Sequence, residues 1–134
     1  MAHKPYKDHL QHDADFKVKY RFYTAEEGGR QTMPYQGYRS DFWYSHPEHN
    51  QTNQIFMIWP EFINEHGEII LDNEISVHAS GIALMWVLDP EWRTSHIDNI
   101  KVGLIGYFME GPRRVAMCEV IEVLDLGINP TKAR

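Results

Sequence analysis

The 134-residue sequence has one cysteine, Cys118, so no intrachain disulfide can staple the fold. No apolar run approaches the ~20 residues that a membrane span requires. Residues 1–15, "MAHKPYKDHLQHDAD", lack the apolar centre of a secretory signal. These absences predict a soluble, cytoplasmic chain with no membrane partner. Basic residues are outnumbered, with 13 Lys and Arg against 19 Asp and Glu, a formal net charge of −6. Strong non-specific nucleic-acid binding draws on many basic contacts. Any RNA role must therefore rest on a few placed residues. The phosphate-cradling pattern GxxxxGKS or GxxxxGKT is absent, and so is the GxSxG nucleophile elbow. No catalytic residue and no cofactor are expected.

What the chain does carry is strand patterning. In "FKVKYRFY" (16–23), Phe16, Val18, Tyr20 and Phe22 share one face while Lys17, Lys19 and Arg21 share the other, the period of a half-buried strand. Further strands are expected at 40–45, at 55–59 with Pro60 as its stop, and at 68–71 after the turn-like "NEHG". A long strand follows at 75–88, bent near Gly81 and closed by Pro90. Residues 100–109 alternate with Ile100, Val102, Leu104, Gly106 and Phe108 inward. Residues 113–124 form the last strand, whose inward face changes phase between Cys118 and Ile121, which predicts a bulge. Polar stretches at 46–54 and 89–99 are expected as loops. The pattern predicts an all-β fold, a single six- or seven-stranded antiparallel Greek-key β-barrel over residues 15–127. A polar, solvated extension (1–14) precedes it and a short tail (128–134) follows.

Eight histidines raise the question of a metal. Zinc needs three or four ligands converging at fixed geometry, and His3, His9 and His12 in a polar lead-in do not supply it; they are expected as solvated side chains. His78 is expected as a satisfied core histidine, and His96 as a packing or loop residue. Cys118, in an apolar strand, is expected as a small buried hydrophobe rather than a reactive thiol. Tyr35, Tyr38, Phe42, Trp43 and Tyr44 lie near Arg30 and Arg39, a composition suited to stacking a base but also consumed by a barrel core and rim.

Two motifs carry a family resemblance. "FKVKYRFYTAEEGGRQTMPYQGYRSDFWY" is similar to the start of the third, C-terminal β-barrel domain of bacterial elongation factor Tu. That family shows an alternating strand, an acidic residue, Gly-Gly-Arg, a Thr two places on, then Gly-Tyr-Arg and an aromatic strand. Here these are Glu27, Gly28, Gly29, Arg30, Thr32, Gly37, Tyr38, Arg39 and Phe42. "GYFMEGPRRVAMCEVIEVL" resembles the closing hairpin of the same domain through Glu110, Gly111, Arg113 and Val115. The resemblance spans about residues 15–125.

It implies a six-stranded Greek-key barrel that meets tRNA and partner proteins. Arg30 and Gln31 fall where the family's Arg-His pair meets the tRNA backbone, and Glu110 and Gly111 fall near the same stem. The implied RNA- or partner-binding set is Arg30, Gln31, Thr32, Tyr38, Arg39, Glu110, Gly111, Arg113 and Arg114, with Gly28, Gly29 and Gly37 shaping turns. An arginine fork suits phosphate, and a glycine turn admits close backbone approach. Several positions depart from the family. Gln31 replaces His, Pro112 replaces a Gly, Arg114 replaces Thr, and Ala116, Met117 and Cys118 thicken a Gly-rich run. The GTPase and middle domains have no counterpart in this chain, so GTP binding is not expected of it alone. The expected function is a non-enzymatic binding module for a translation-related protein or a tRNA-like RNA. The alternatives are a small metal- or His/Asp-dependent enzyme around His46, His49 or His96, and a neutraliser or mimic of the elongation factor surface.

Overall fold

A computed structural model describes residues 2–45, 55–89 and 92–129. Its strands are β1 (Phe16–Phe22), β2 (Asp41–Tyr44), β3 (Ile58–Ile63), β4 (Ser80–Val87), β5 (Ile105–Glu110) and β6 (Arg113–Val123), with short helices α1 (Tyr6–Leu10) and α2 (Arg93–Asn99). The six strands pair antiparallel in one sheet of order β2-β5-β6-β1-β4-β3. Three connections, β1 to β2, β2 to β3 and β4 to β5, lead to strands that are not neighbours in this order, the winding of a Greek key. The sheet curls so that β2 reaches the chain leading into β3, where Phe42 and Phe56 exchange backbone hydrogen bonds of 2.9 and 2.8 Å in an isolated bridge. The result is the all-β, barrel-like fold that the strand patterning predicts.

β1 lies between β6 and β4, and its four apolar residues enter the core as its period requires. Tyr20 sits 5.2 Å from Phe62, 5.4 Å from Phe22 and 6.0 Å from Phe108, ring centre to ring centre. Aromatic packing of this kind contributes beyond plain burial. Phe42 and Tyr44 complete the aromatic interior, so this part of the aromatic cluster is core. Gly106 makes room for Phe42, since a Cβ there would meet the ring at 2.3 Å. Gly81 does not bend β4; it faces Tyr20 across the sheet and leaves space for its ring.

The expected bulge in β6 is present. Lys17 pairs with Glu122 and Val18 with Val120, so Ile121 is the extra residue. A second irregularity, between β5 and β6, pairs Phe108 with Ala116 but Met109 with Arg114. It turns Val115 and Ala116 inward together and leaves both Arg113 and Arg114 exposed.

Several elements differ from the sequence reading. β3 runs through Pro60, which is tolerated because β3 is the last strand in the sheet order and its strand partner is β4 alone. The side-chain amide of Gln36 donates to the carbonyls of Phe62 and Ile70 and accepts from the Phe62 N–H. One buried amide thus caps backbone groups of an edge strand, which otherwise invite pairing. Residues 68–71 form only an isolated bridge through Ile69, and 75–79 precede β4 as non-strand chain that bridges at Ser76 and buries Val77 in the core. Val102 is 67% exposed rather than inward. His78 is exposed, and its carbonyl accepts a hydrogen bond from Tyr20.

The stretch expected as a loop at 89–99 contains α2. The fully buried side chains of that helix are Arg93 and His96, with Ile97 partly buried against the core beside them. Arg93 pairs with the fully buried Asp15 and also donates to the Val87 carbonyl. Asp15 further accepts from the Val87 N–H at 2.7 Å and the Asn129 amide at 2.7 Å. This polar node joins β4, α2 and both ends of the barrel.

The lead-in residues are not solvated throughout. Tyr6 packs edge-on against Trp86 at 6.0 Å and tilted on Trp59 at 6.1 Å. Glu61, on the outer side of β3, is buried under this segment. It lies 2.5 Å from His3 Nε2 and accepts the Tyr6 N–H at 2.9 Å and the Trp86 indole N–H at 3.1 Å. His3 is therefore a buried, paired histidine.

Candidate functional site

The loop after β1 opens with a self-contained turn. The Thr24 N–H donates to the Glu27 carboxylate and the Glu27 N–H donates back to the Thr24 hydroxyl, a reciprocal arrangement like a capping box. Arg21 also donates to both Glu27 oxygens. With Arg21 first and Thr24 next as causes, the Glu27 carboxyl is held down at about 2. Gly28 and Gly37 take positive φ, 93° and 96°, as their turn role requires. Gly29 is needed for space instead: a Cβ would lie 2.2 Å from the Tyr23 carbonyl oxygen.

Past that turn the chain delivers Arg30 to the closing hairpin between β5 and β6. Arg30 pairs with Glu110, and its Nε donates to the Thr32 carbonyl at 3.0 Å. The Tyr38 hydroxyl donates to the same Glu110 carboxylate, and Arg113 reaches its other oxygen at 3.1 Å. Arg30 also lies over the Tyr38 ring at 5.2 Å. The two motifs are thus brought together in space by one carboxylate. Burial pushes the Tyr38 phenol up, helped by Glu110. Burial also opposes ionisation of Glu110, yet hydrogen bonds from Tyr38 and Arg30 outweigh it and hold the carboxyl below its ordinary 4.5.

That direction sets a pH dependence. A folded-state pKa below the unfolded one adds stability that is complete above the unfolded value and is lost as pH falls through the folded one. Glu110→Gln is expected to cost about 1 kcal/mol at neutral pH. The gap in melting temperature between wild type and variant should close in acid. A gap that holds constant down to about pH 2 contradicts this linkage.

Arg114 follows on the outer face. Its guanidinium lies 4.0 Å from the Tyr107 ring centre and 5.0 Å from that of Trp43, which is the cross-strand partner of Tyr107. No carboxylate among the described residues is paired with it. Beside it opens a hollow of about 450 Å³ lined by Trp43, Ile55, Met109, Gly111, Pro112 and Arg114. Gly111 turns the hairpin at φ 60°, with Pro112 at the rim.

Not every expected contact residue joins this face. The Arg39 guanidinium stacks over Trp59 at 4.4 Å, on β3 beside the N-terminal segment. Gln31 and Thr32 are exposed, and Thr32 serves through its carbonyl. Tyr35 is exposed and bridges to Ser76. Tyr107 and Met109 line or flank the site without a sequence expectation, while Trp43, named in the aromatic cluster near Arg30 and Arg39, is the member of that cluster that lines the hollow. A signal existed for two of them: Trp43 and Tyr107 alternate out of phase with the buried Phe42, Tyr44 and Phe108.

For the enzymatic alternative, His46 and His49 lie outside the described residues. His96 is buried, its Nδ1 lying 2.6 Å from the Tyr44 hydroxyl and its ring edge-on to Phe56. Among the described residues, no group of three or more His, Cys, Asp or Glu is placed to hold a metal ion. Cys118 is buried, and desolvation pushes its thiol up, as expected of an inert core cysteine. Among those residues no helix is long and apolar enough to cross a membrane. No family model matches the chain, and no curated protein matches it.

Proposed function

We propose that this chain is a non-enzymatic binding module, similar in role to the third domain of elongation factor Tu, and that it engages a translation-related partner through the hairpin face. One observation carries the reading. Arg30 and Arg113 share a single carboxylate, Glu110, and Arg114 follows next in the chain over the Tyr107 and Trp43 rings, so three arginines stand against one carboxylate at the hairpin of a chain of net charge −6. A cationic spot on an acidic molecule steers an anionic partner to one place and repels it elsewhere. The apolar hollow next to it favours a protein over an RNA backbone, because buried Trp, Met and Arg anchors are the usual centre of protein interfaces.

The charge surplus also supports a second reading, an RNA stem held by the same arginines. Titration with labelled tRNA separates the two. RNA contacts by two arginines give a log–log salt slope near about −2, with affinity lost in Arg113→Ala. Absence of saturable tRNA binding at low salt leaves the protein reading. Capture from host lysate tests the module itself: wild type should retain translation components that the Arg113→Glu/Arg114→Glu variant loses. Equal recovery by both contradicts the proposed face.

A further inference from the structure

We infer that the hollow beside Arg114 takes a protein segment in which a large apolar side chain stands next to an Asp or Glu carboxylate. This inference rests on the binding-module reading and specifies the partner's chemistry.

The argument starts from Arg114. The Tyr107 and Trp43 rings lie 4.0 and 5.0 Å from its guanidinium carbon, and cation–π attraction favours keeping the group on this face before any ligand arrives. A guanidinium presents five donors in a planar fork matched to a carboxylate. Stacking uses its faces and leaves its edge for such a partner. Arg30 and Arg113 share Glu110, whereas Arg114 has no carboxylate partner among the described residues. Arg114 is therefore the cation of the cluster whose charge is least compensated.

The hollow supplies the other half. Trp43, Ile55, Met109 and Pro112 give it an apolar lining, and about 450 Å³ accommodates one aromatic or branched side chain with room to spare. Gly111, with no side chain, lets a partner backbone come close to the hairpin turn. An apolar group in the hollow and a carboxylate on the Arg114 fork must be neighbours in the partner. Adjacent residues of a polypeptide meet that spacing. A nucleic-acid backbone presents phosphates without the apolar group. The chain's own acidic surface adds selectivity, because an acidic segment has its favourable landing place where the arginines gather.

The probe is a fluorescein-labelled peptide alternating Asp and Phe, followed by fluorescence anisotropy against the full chain. Saturable binding is expected, weakened about tenfold or more when Lys replaces Asp or Ser replaces Phe in the peptide. Arg114→Glu should weaken it by about tenfold or more, while Arg114→Lys, which keeps charge but loses the stacked fork, should fall between. Pro112→Glu, on the exposed turn, provides a second variant and should weaken binding without touching Arg114. No binding, equal binding of the Lys peptide, or unchanged binding by Arg114→Glu overturns the inference. If a translation component is captured by wild type but not displaced by the peptide, this inference fails and the module stands. If neither peptide nor lysate component binds, both fail. Saturable tRNA binding with the same dependence on Arg114 gives the face to RNA and overturns the peptide assignment.

Discussion

Asp15→Ala is expected to lower stability by about 3–5 kcal/mol, enough to drop the melting temperature by roughly 10–20 °C. The effect follows from what Asp15 holds. It is fully buried and pairs with Arg93, itself 2% exposed, while also accepting from Val87 and Asn129. Removing the carboxylate leaves a guanidinium in the interior without its counter-charge and the Val87 N–H without its side-chain acceptor, and it leaves the Asn129 amide with the Asp13 carbonyl only. The pair itself need not be a net stabiliser, because desolvating two ions costs about what their attraction returns. That distinction is measurable. Asp15→Ala/Arg93→Leu should recover part of the loss, since the uncompensated charge is gone. A single-variant loss under about 1 kcal/mol would show that the node is not holding the ends of the barrel.

Glu61→Ala is the second large effect, expected at about 2–4 kcal/mol. Glu61 receives His3, the Tyr6 N–H and the Trp86 indole, so its loss orphans donors on both the barrel and the N-terminal segment. The segment can relieve its own share by lifting off into water, which would expose Trp59 and Trp86. Proteolysis within residues 2–14 should accelerate and tryptophan emission should shift to the red. Glu61→Gln keeps an acceptor for Tyr6 and Trp86 and should lose less. Unchanged proteolysis in Glu61→Ala would mean that apolar packing of Tyr6 and Leu10, with the backbone bond from His3 to Leu71, suffices to fasten the segment.

These two residues also show where sequence reasoning stops. β1, β2 and the bulge at Ile121 were legible because their inward positions are apolar and alternate, with a phase change visible in the letters. α2 was not, because its buried face is Arg93 and His96. A helix that buries polar groups on specific partners leaves no apolar stripe to read. The burial of the N-terminal segment is hidden for the same reason: His3 is polar, and nothing local reveals that Glu61, 58 residues away, is its partner. Gln36 is a third case, a loop amide whose role depends on two distant carbonyls.

The candidate site divides along the same line. Gly28 and Gly37 were readable as turn formers, and the two arginine-bearing motifs were readable as separate features. Their convergence on Glu110 was not, since it spans 80 residues of chain. The geometry also changes what Arg30 does. Its guanidinium is committed to Glu110 and to the Thr32 carbonyl, so it shapes the face more than it reaches outward. In the proposed face the outward role falls to Arg114, exposed by an irregularity between β5 and β6 that no local pattern announced.

The proposed contact face is tested most directly by hydrogen exchange on the chain with and without the partner captured from lysate. Protection should concentrate in residues 38–44 and 105–117, around the hollow and the hairpin. Protection confined instead to the exposed chain around Leu71 and Ile75, with the hairpin unchanged, would contradict the account.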